Sequence, residues 1–458
     1  MSTVTVAFPE ETWEQLLVML DEPLESAGVL LAGQVDSGER LGLTVNRVVP
    51  VARDAYELRT RREMRIASHG WMNALRLAAD EGWLAIFFHT HPGESAAPSS
   101  LDEKVDALLA PSFRTRLGTE RYASLILSGT REAPTFTGRV LQIGADPQPI
   151  ATLRVAGRRL RVQDAQDMAS DTLSLDVYDR QVRAFGDAGQ RVLRHLHVGV
   201  VGAGGTGSAV LEELARLGVG TLTFIDDDVV TNTNVTRIHG SRLEDVERPK
   251  VEVVRDQLAA IGLGTDLRAV NGNVARRDVM ERLRDCDLIF GCTDDHAGRA
   301  VLSRLAYWYL IPVIDMGVLI ASTEGQVSGI FARVTTATPG EPCLLCRGEF
   351  DPVRAREDQY SDAERESLRR EGYAQGLAER DPAVMAYTTL VASHAVADML
   401  ARIFGFGEQP VPGKQLLDIA HRRIRRLGGH ARDGCYCSTP KKWGKGDSTS
   451  PLGMTWAA

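Results

Sequence analysis

Residues 197–211 read HVGVVGAGGTGSAVL. The run HVGVV is short, apolar and β-rich, and a cluster of four glycines, Gly202, Gly204, Gly205 and Gly207, turns the chain into the helical stretch GSAVLEELARLG. A strand that enters a helix through glycines lets the backbone approach a phosphate closely, and the helix N-terminus offers unpaired N–H groups and a positive dipole. Downstream, TLTFIDDD reads as a strand and KVEVVRDQLAAIG as a helix. DLRAVNGNV, CDLIFGCTD and IPVIDMGV follow as strands separated by helical stretches. This βαβ rhythm predicts an α/β Rossmann-like domain with a mostly parallel sheet over residues 175–440.

Upstream the pattern changes. Residues 1–148 mix β-rich runs such as VLLAG, WLAIFFHTH and ASLILSG with helices such as EETWEQLLVML, without regular alternation, so an α+β domain is expected. Residues 149–174 read as a linker, and 441–458 (KKWGKGDSTSPLGMTWAA) as a flexible tail. The chain of 458 residues has room for two or three domains. Its net charge of −8 argues against nucleic acid as a partner, because phosphate binding needs a basic excess. No apolar run reaches the ~18 residues needed to cross a bilayer, and the N-terminus lacks a leader pattern, so a cytoplasmic protein with no membrane partner is expected.

The first block carries His89-Thr90-His91-Pro92, then six residues, then Ser99-Ser100-Leu101-Asp102. Residues i and i+2 of a strand share a face, so His89 and His91 can bind one ion, with Asp102 returning from the next helix. Two imidazoles and a carboxylate leave one open position on a tetrahedral zinc, the catalytic arrangement, and Ser99 can orient a substrate or stabilise an oxyanion. Histidines two apart in a strand are by themselves more often surface or core residues. The full spacing resembles the JAMM (MPN-plus) zinc metallopeptidases, which cleave ubiquitin-like proteins from precursors or targets. The resemblance implies a JAMM/cytidine-deaminase-like fold, His89, His91 and Asp102 as catalytic-zinc ligands, and Glu25 in PLESAGVLL as general base.

In the second block the glycine motif alone is a dinucleotide fingerprint, for which an NAD-dependent oxidoreductase is the default. Further residues point elsewhere: Tyr178-Asp179-Arg180-Gln181, the acids Asp226-Asp227-Asp228, Asn234-Val235-Thr236-Arg237, Arg248-Pro249-Lys250 and Cys292-Thr293-Asp294-Asp295. Hydride transfer needs no scattered cations, whereas triphosphate cleavage needs cations for the phosphates and a carboxylate for magnesium. Together these motifs resemble the ThiF-type adenylyltransferases and ubiquitin-activating enzymes. The resemblance implies ATP and Mg²⁺ as cofactors and a ubiquitin-like protein as partner, its C-terminal glycine activated as an acyl-adenylate. It also implies Asp226, with Asp228, at the ribose; Asn234, Arg237 and Lys250 at the phosphates; Asp294 at magnesium; and Arg180 reaching into the neighbour's site of a homodimer. Glu247 stands where the family usually has glycine.

Six cysteines complete the reading. Cys343 and Cys346, with Cys435 and Cys437 about ninety residues on, form two close pairs that suit a structural zinc. Cys286 and Cys292 flank an apolar strand and are expected in the core. No cysteine remains just before the helix PAVMAYTTLVASHAVADML, where many relatives place one. Direct transfer of the adenylate, sulfuration by a partner, or an oxyester on Ser361, Ser367, Thr388 or Thr389 are the routes left open. The basic run His421–Arg426 reads as a solvated helix face. The expected activity is adenylation of a ubiquitin-like protein joined to its processing or deconjugation, in a bacterial-style conjugation pathway with a separate conjugating enzyme. The alternative is sulfur-carrier activation for molybdopterin- or thiamine-like cofactor synthesis through a thiocarboxylate.

Overall fold

A computed structural model describes residues 3–93, 95–165, 175–359 and 382–449, together with 452, 454 and 456. Backbone contacts divide the chain into two units: Met1–Asp171 with Trp308–Leu310 and Thr439–Gly453, and Thr172–Tyr307 with Ile311–Ser438 and Met454–Ala458.

The first unit runs β1 (Thr3–Pro9), α1 (Glu10–Leu20), β2 (Ala27–Asp36), β3 (Arg40–Pro50), β4 (Tyr56–Arg59), β5 (Met64–Ile66), α2 (His69–Glu81), β6 (Leu84–Pro92), α3 (Ser100–Leu117), β7 (Arg121–Gly129), β8 (Pro134–Gln142), β9 (Gln148–Ala156) and β10 (Leu160–Asp164). The main sheet has the order β1-β3-β2-β6-β7-β8-β9-β10, and β9 also pairs with β1 in parallel, which bends it into a barrel-like ring. Both faces are covered, so its central strands read as continuous apolar runs rather than alternating ones. Trp13, Leu16 and Leu17 of α1 pack with Leu30, Ile86 and Phe88. Ala74, Leu75 and Ala78 of α2, with Leu109 and Phe113 of α3, pack with Val29, Leu31, Ala85 and Phe87. Strand parity continues this second face through Phe87 to His89 and His91.

Two expectations fail in this unit. The segment 149–174 is not a linker throughout, because Gln148–Ala156 and Leu160–Asp164 are strands and belong to the sheet. Among the described residues, the start of the tail expected to be flexible is anchored by its backbone: Asn46 Nδ2 donates to Pro440 O at 2.9 Å and Trp443 O at 2.8 Å, and Thr44 Oγ1 donates to Gly444 O at 2.9 Å. Lys445 Nζ then lies 3.7 Å over the Trp83 ring.

The second unit runs α4 (Asp179–His195), β11 (His197–Val201), α5 (Gly205–Leu217), β12 (Thr221–Asp226), α6 (Lys250–Ile261), β13 (Asp266–Asn271), α7 (Arg277–Met280), β14 (Leu288–Gly291), α8 (His296–Trp308), β15 (Val313–Thr323), β16 (Gln326–Ala337), α9 (Pro352–Glu357), α10 (Met385–Phe404), β17 (Lys414–Asp418) and β18 (Arg423–Arg426). The sheet order is β13-β12-β11-β14-β15-β16-β17-β18. The first five strands are parallel, as the alternation predicts, and the last three are antiparallel, so the Rossmann-like sheet is mixed rather than mostly parallel. The change comes at Glu324-Gly325, both with positive φ, which close the β15–β16 hairpin as a tight turn of the type right-twisted strands favour. The basic run 423–426 is the exposed edge strand β18, not a helix face. Strand order reverses between β11 and β14, the position where open α/β sheets form a crevice at their carboxyl ends. Among the described residues no helix is long and apolar enough to cross a membrane.

Candidate functional site

That crevice is a cavity of about 480 Å³ in the second unit. The glycine turn, the acidic end of β12, the 234–237 loop and the start of α6 line it, with the Cys292–Asp295 loop, Asn273, Pro382, Ala383 and Thr388. Gly202 has φ +96° and a Cβ there would sit 2.6 Å from Cys292 O, so the turn admits no side chain. Gly204 and Gly205 also line the cavity, but Gly207 does not. A Cβ on Gly207 would lie 1.7 Å from Gly202 O, so its role is to let α5 start tight against the turn.

The acids divide the work. Asp226 accepts hydrogen bonds from Ala203 N at 2.7 Å and Asp228 N at 2.9 Å, which ties the end of β12 to the glycine turn. Burial raises its carboxyl above the usual range, against the lowering pull of Lys250 and those two N–H groups. Lys250, the first residue of α6, is itself buried and pairs with Asp228. Asn234 is also buried, and its side chain closes a local turn by accepting from Thr231 N at 2.7 Å and donating to Val229 O at 3.3 Å. Arg237 lines the cavity and is steadied by donating to Thr233 O at 2.9 Å. Asp294 is exposed in the wall, whereas its neighbour Asp295 turns back to accept from Gly298 N and Thr293 Oγ1 at the start of α8. Arg180 is exposed and not part of the cavity wall.

Sequence reasoning missed Arg299. Its guanidinium donates to Thr293 O at 2.8 Å and to Asp294 O at 3.3 Å, and its Nε faces Asp315 at 3.4 Å. Asp315 is fully buried, and Arg333 pairs with its other oxygen. No motif announces this brace, because Arg299 and Asp315 meet only once α8 lies beside β15. Asn273, donating to Asp227 at 3.1 Å, was missed for the same reason.

The first unit gathers a second cluster. His89 Nε2 lies 3.0 Å from His91 Nε2 and 3.1 Å from Asp102 Oδ1, while His91 Nε2 lies 3.8 Å from Asp102 Oδ2. One ligand atom from each of the three residues lies within 4.8 Å of the others, close enough to share a zinc held at about 2.0–2.2 Å. Nδ1 of His89 is buried without a hydrogen-bond partner. Ser99 caps α3 in a box with Asp102: Asp102 Oδ2 accepts from Ser99 N at 2.6 Å, and Ser99 Oγ accepts from Asp102 N at 3.3 Å. Burial pushes the Asp102 carboxyl up, but hydrogen bonds from His89 and Ser99 prevail and hold it well below the usual range. Glu25 faces the same groove of about 450 Å³. Its position follows from register, since Ala27 is paired with His89 and Glu25 precedes it by two. Met64, Ile66, Trp71, Phe87, Leu101 and Leu108 make the groove walls largely apolar.

The four thiols of Cys343, Cys346, Cys435 and Cys437 lie within 4.8 Å of one another, with two of the distances 3.6 Å. A tetrahedral zinc with Zn–S of about 2.3 Å needs sulfurs about 3.8 Å apart, so the set fits a structural ion. Cys286 is buried in the core, and burial pushes the Cys292 thiol far above its ordinary value. Thr388 borders the nucleotide cavity, while Thr389, one residue on, turns toward His239. Ser361, Ser367 and residues 376–381 lie outside the described residues.

Residues 178–437 match the model of the ThiF family. Over 171 residues, 37% of this chain, the sequence is 33% identical to the molybdopterin-synthase adenylyltransferase of Escherichia coli (strain K12), covering 66% of it. Over 181 residues, 38% of this chain, it is 29% identical to the sulfur carrier protein ThiS adenylyltransferase of Bacillus subtilis (strain 168), covering 51% of it. The chain thus spans less than two thirds of either relative. Among solved structures, that of E. coli MccB with ATP aligns at 18% identity and a TM-score of 0.44, over 57% of this chain and 73% of that one. The family match bears on the second unit; residues 1–148 stand on their own motif and geometry.

Proposed function

The chain belongs to the ThiF family, and we propose that its 175–440 domain uses ATP to adenylate the C-terminal glycine of a ubiquitin-like protein of the sulfur-carrier kind. The observation that carries this is the single cavity in which a glycine turn, the buried Lys250, the partly buried Asp226 and the exposed carboxylate of Asp294 meet. The relatives named above, adenylyltransferases of molybdopterin synthase and of a sulfur carrier, favour sulfur-carrier activation over conjugation through a separate conjugating enzyme. In this proposal Asp226 accepts from the ribose hydroxyls and Asp228 releases Lys250 to the phosphates. Asn234 shapes the loop that presents Arg237. Asp294 would hold Mg²⁺, which supplies charge neutralisation on the triphosphate. The glycine carboxylate attacks the α-phosphorus and pyrophosphate leaves, with Arg237 and Lys250 offsetting the charge that gathers there. Arg180, exposed on α4, would serve only at the site of a second copy. The four cysteines would hold a structural zinc beside α8.

A second reading attaches to residues 1–148, because Glu25, His89, His91, Ser99 and Asp102 face one groove. We propose a JAMM-type peptidase there, in which His89, His91 and Asp102 would hold a zinc that would supply Lewis acidity for peptide hydrolysis. Glu25 would move the proton, and the apolar groove would seat an extended C-terminal tail. One substrate class would then serve both domains. The test for the main proposal is ATP–pyrophosphate exchange with a ubiquitin-fold protein ending in glycine and the same protein lacking that glycine. Exchange with the first alone is expected; equal exchange with both, or none with either, overturns the proposal.

A further inference from the structure

Thr389 Oγ1 lies 2.9 Å from His239 Nε2, and His239 Nδ1 lies 3.2 Å from Glu212 Oε2. Arg216 Nε donates to the other oxygen of Glu212 at 2.9 Å, so each carboxylate oxygen has one partner. Burial raises the Glu212 carboxyl, but hydrogen bonds from Arg216 and His239 prevail and lower it, so it stays ionised. An ionised carboxylate can only accept, which puts the imidazole proton on Nδ1 and leaves Nε2 to accept from the Thr389 hydroxyl. Ser208 Oγ accepts from His239 N at 3.0 Å and fixes the backbone that carries the ring. Nucleophile, base and orienting acid are the parts of an activated hydroxyl.

The placement beside the cavity matters as much as the triad. Thr388 and Arg237 both line the cavity, and each is one or two residues from a member of the triad. The Thr388 hydroxyl is spent on its own helix, donating to Met385 O at 3.0 Å. Among the cysteines, four thiols are grouped as a metal-ligand set and Cys286 is buried, while Cys292 lines the cavity with its thiol pushed up by burial. Thr389, His239 and Glu212 are each only partly buried.

Resting on the adenylation proposed above, we propose that Thr389 accepts the glycyl group from the acyl-adenylate as an oxyester. The Thr389 Oγ–H proton passes to His239 Nε2 as Oγ bonds to the glycyl carbonyl carbon. The bond from that carbon to the phosphate oxygen breaks, and AMP leaves with the electron pair. Glu212 is a positioning residue that steadies the imidazolium. No oxidant or reductant is needed.

The test uses a preformed adenylate, N-acetyl-glycyl-glycyl-AMP, incubated with the full chain and followed by peptide mass spectrometry. One acyl group is expected on Thr389, labile to hydroxylamine and resistant to thiols. Thr389→Val keeps the shape and loses the adduct at least tenfold, and Thr389→Ser keeps it. Glu212→Gln lowers the maximal acylation rate with half-saturation unchanged, and Glu212→Asp restores part of it. No adduct in the wild-type chain, an adduct on a cysteine or lysine, or an unchanged adduct in Thr389→Val overturns the proposal. Because the adenylate is supplied, acylation without ATP–pyrophosphate exchange would count against the adenylation reading and leave this one standing.

Discussion

Lys250 holds its Nζ 2.6 Å from Asp228 Oδ2 at the mouth of the cavity, with Asp226 Oδ1 3.6 Å away on the other side. A buried ammonium between two carboxylates is already desolvated, so an arriving phosphate can replace Asp228 as its partner without stripping water from the lysine. Lys250→Met should therefore lower adenylate formation about a hundredfold, as losing one fixed cation at a site of developing charge does. Single-turnover release of pyrophosphate measures it, and a change below about threefold would remove Lys250 from the phosphate site.

Asp226 makes a pH prediction whose sign is set by burial. Its raised pKa means the carboxylate is lost at a higher pH than a free aspartate would lose it. ATP affinity should fall on acidification starting above the ordinary carboxylate value of about 3.9, and Asp226→Asn should lack that limb. The stability sign is the reverse. A carboxyl with a raised folded pKa stabilises the fold below its unfolded value and loses that contribution as pH rises through the folded one. Asp226→Asn should weaken ATP and also lower the melting temperature of the nucleotide-free protein at neutral pH, because an amide can accept from only one of Ala203 N and Asp228 N and leaves the other donor unpaired. Calorimetry and nucleotide titration on one variant read both.

Arg299 touches no part of the proposed substrate yet holds the carbonyls of Thr293 and Asp294. Arg299→Met should let the loop shift and cost about ten- to a hundredfold in turnover with a smaller effect on ATP half-saturation. Equal effects on both would mean that Arg299 binds nucleotide directly.

Metal analysis should find two zinc ions per chain. Cys437→Ser should remove one and lower the melting temperature by about 5 °C or more, because structural zinc is folding free energy. Asp102→Ala should remove the other and leave the four-cysteine ion in place. One zinc in the wild-type chain would exclude one of the two clusters.

What was legible in the sequence is what rests on local pattern. The glycine turn at 202–207 needs close backbone approach, which only glycine permits, so its composition announces it. His89 and His91 share a face by strand parity, and Ser99 with Asp102 is a capping spacing. The anchored tail was not legible, because its partners are backbone carbonyls at Pro440, Trp443 and Gly444, which every sequence has. β9 was hidden for a related reason: its partner β1 lies at the other end of the unit. The contact between His239 and Thr389 joins residues 150 apart in sequence, through the packing of α10 on α5. Neither residue stands in a motif.

The most direct measurement is ATP–pyrophosphate exchange by the wild-type chain and by Asp294→Ala, each with a glycine-ending ubiquitin-fold protein, after circular dichroism has matched their folds. Exchange by the wild type and at least a hundredfold less by the variant is the expected result. Equal exchange by both would contradict the assignment of the cavity, and no exchange by the wild type would contradict the adenylation itself.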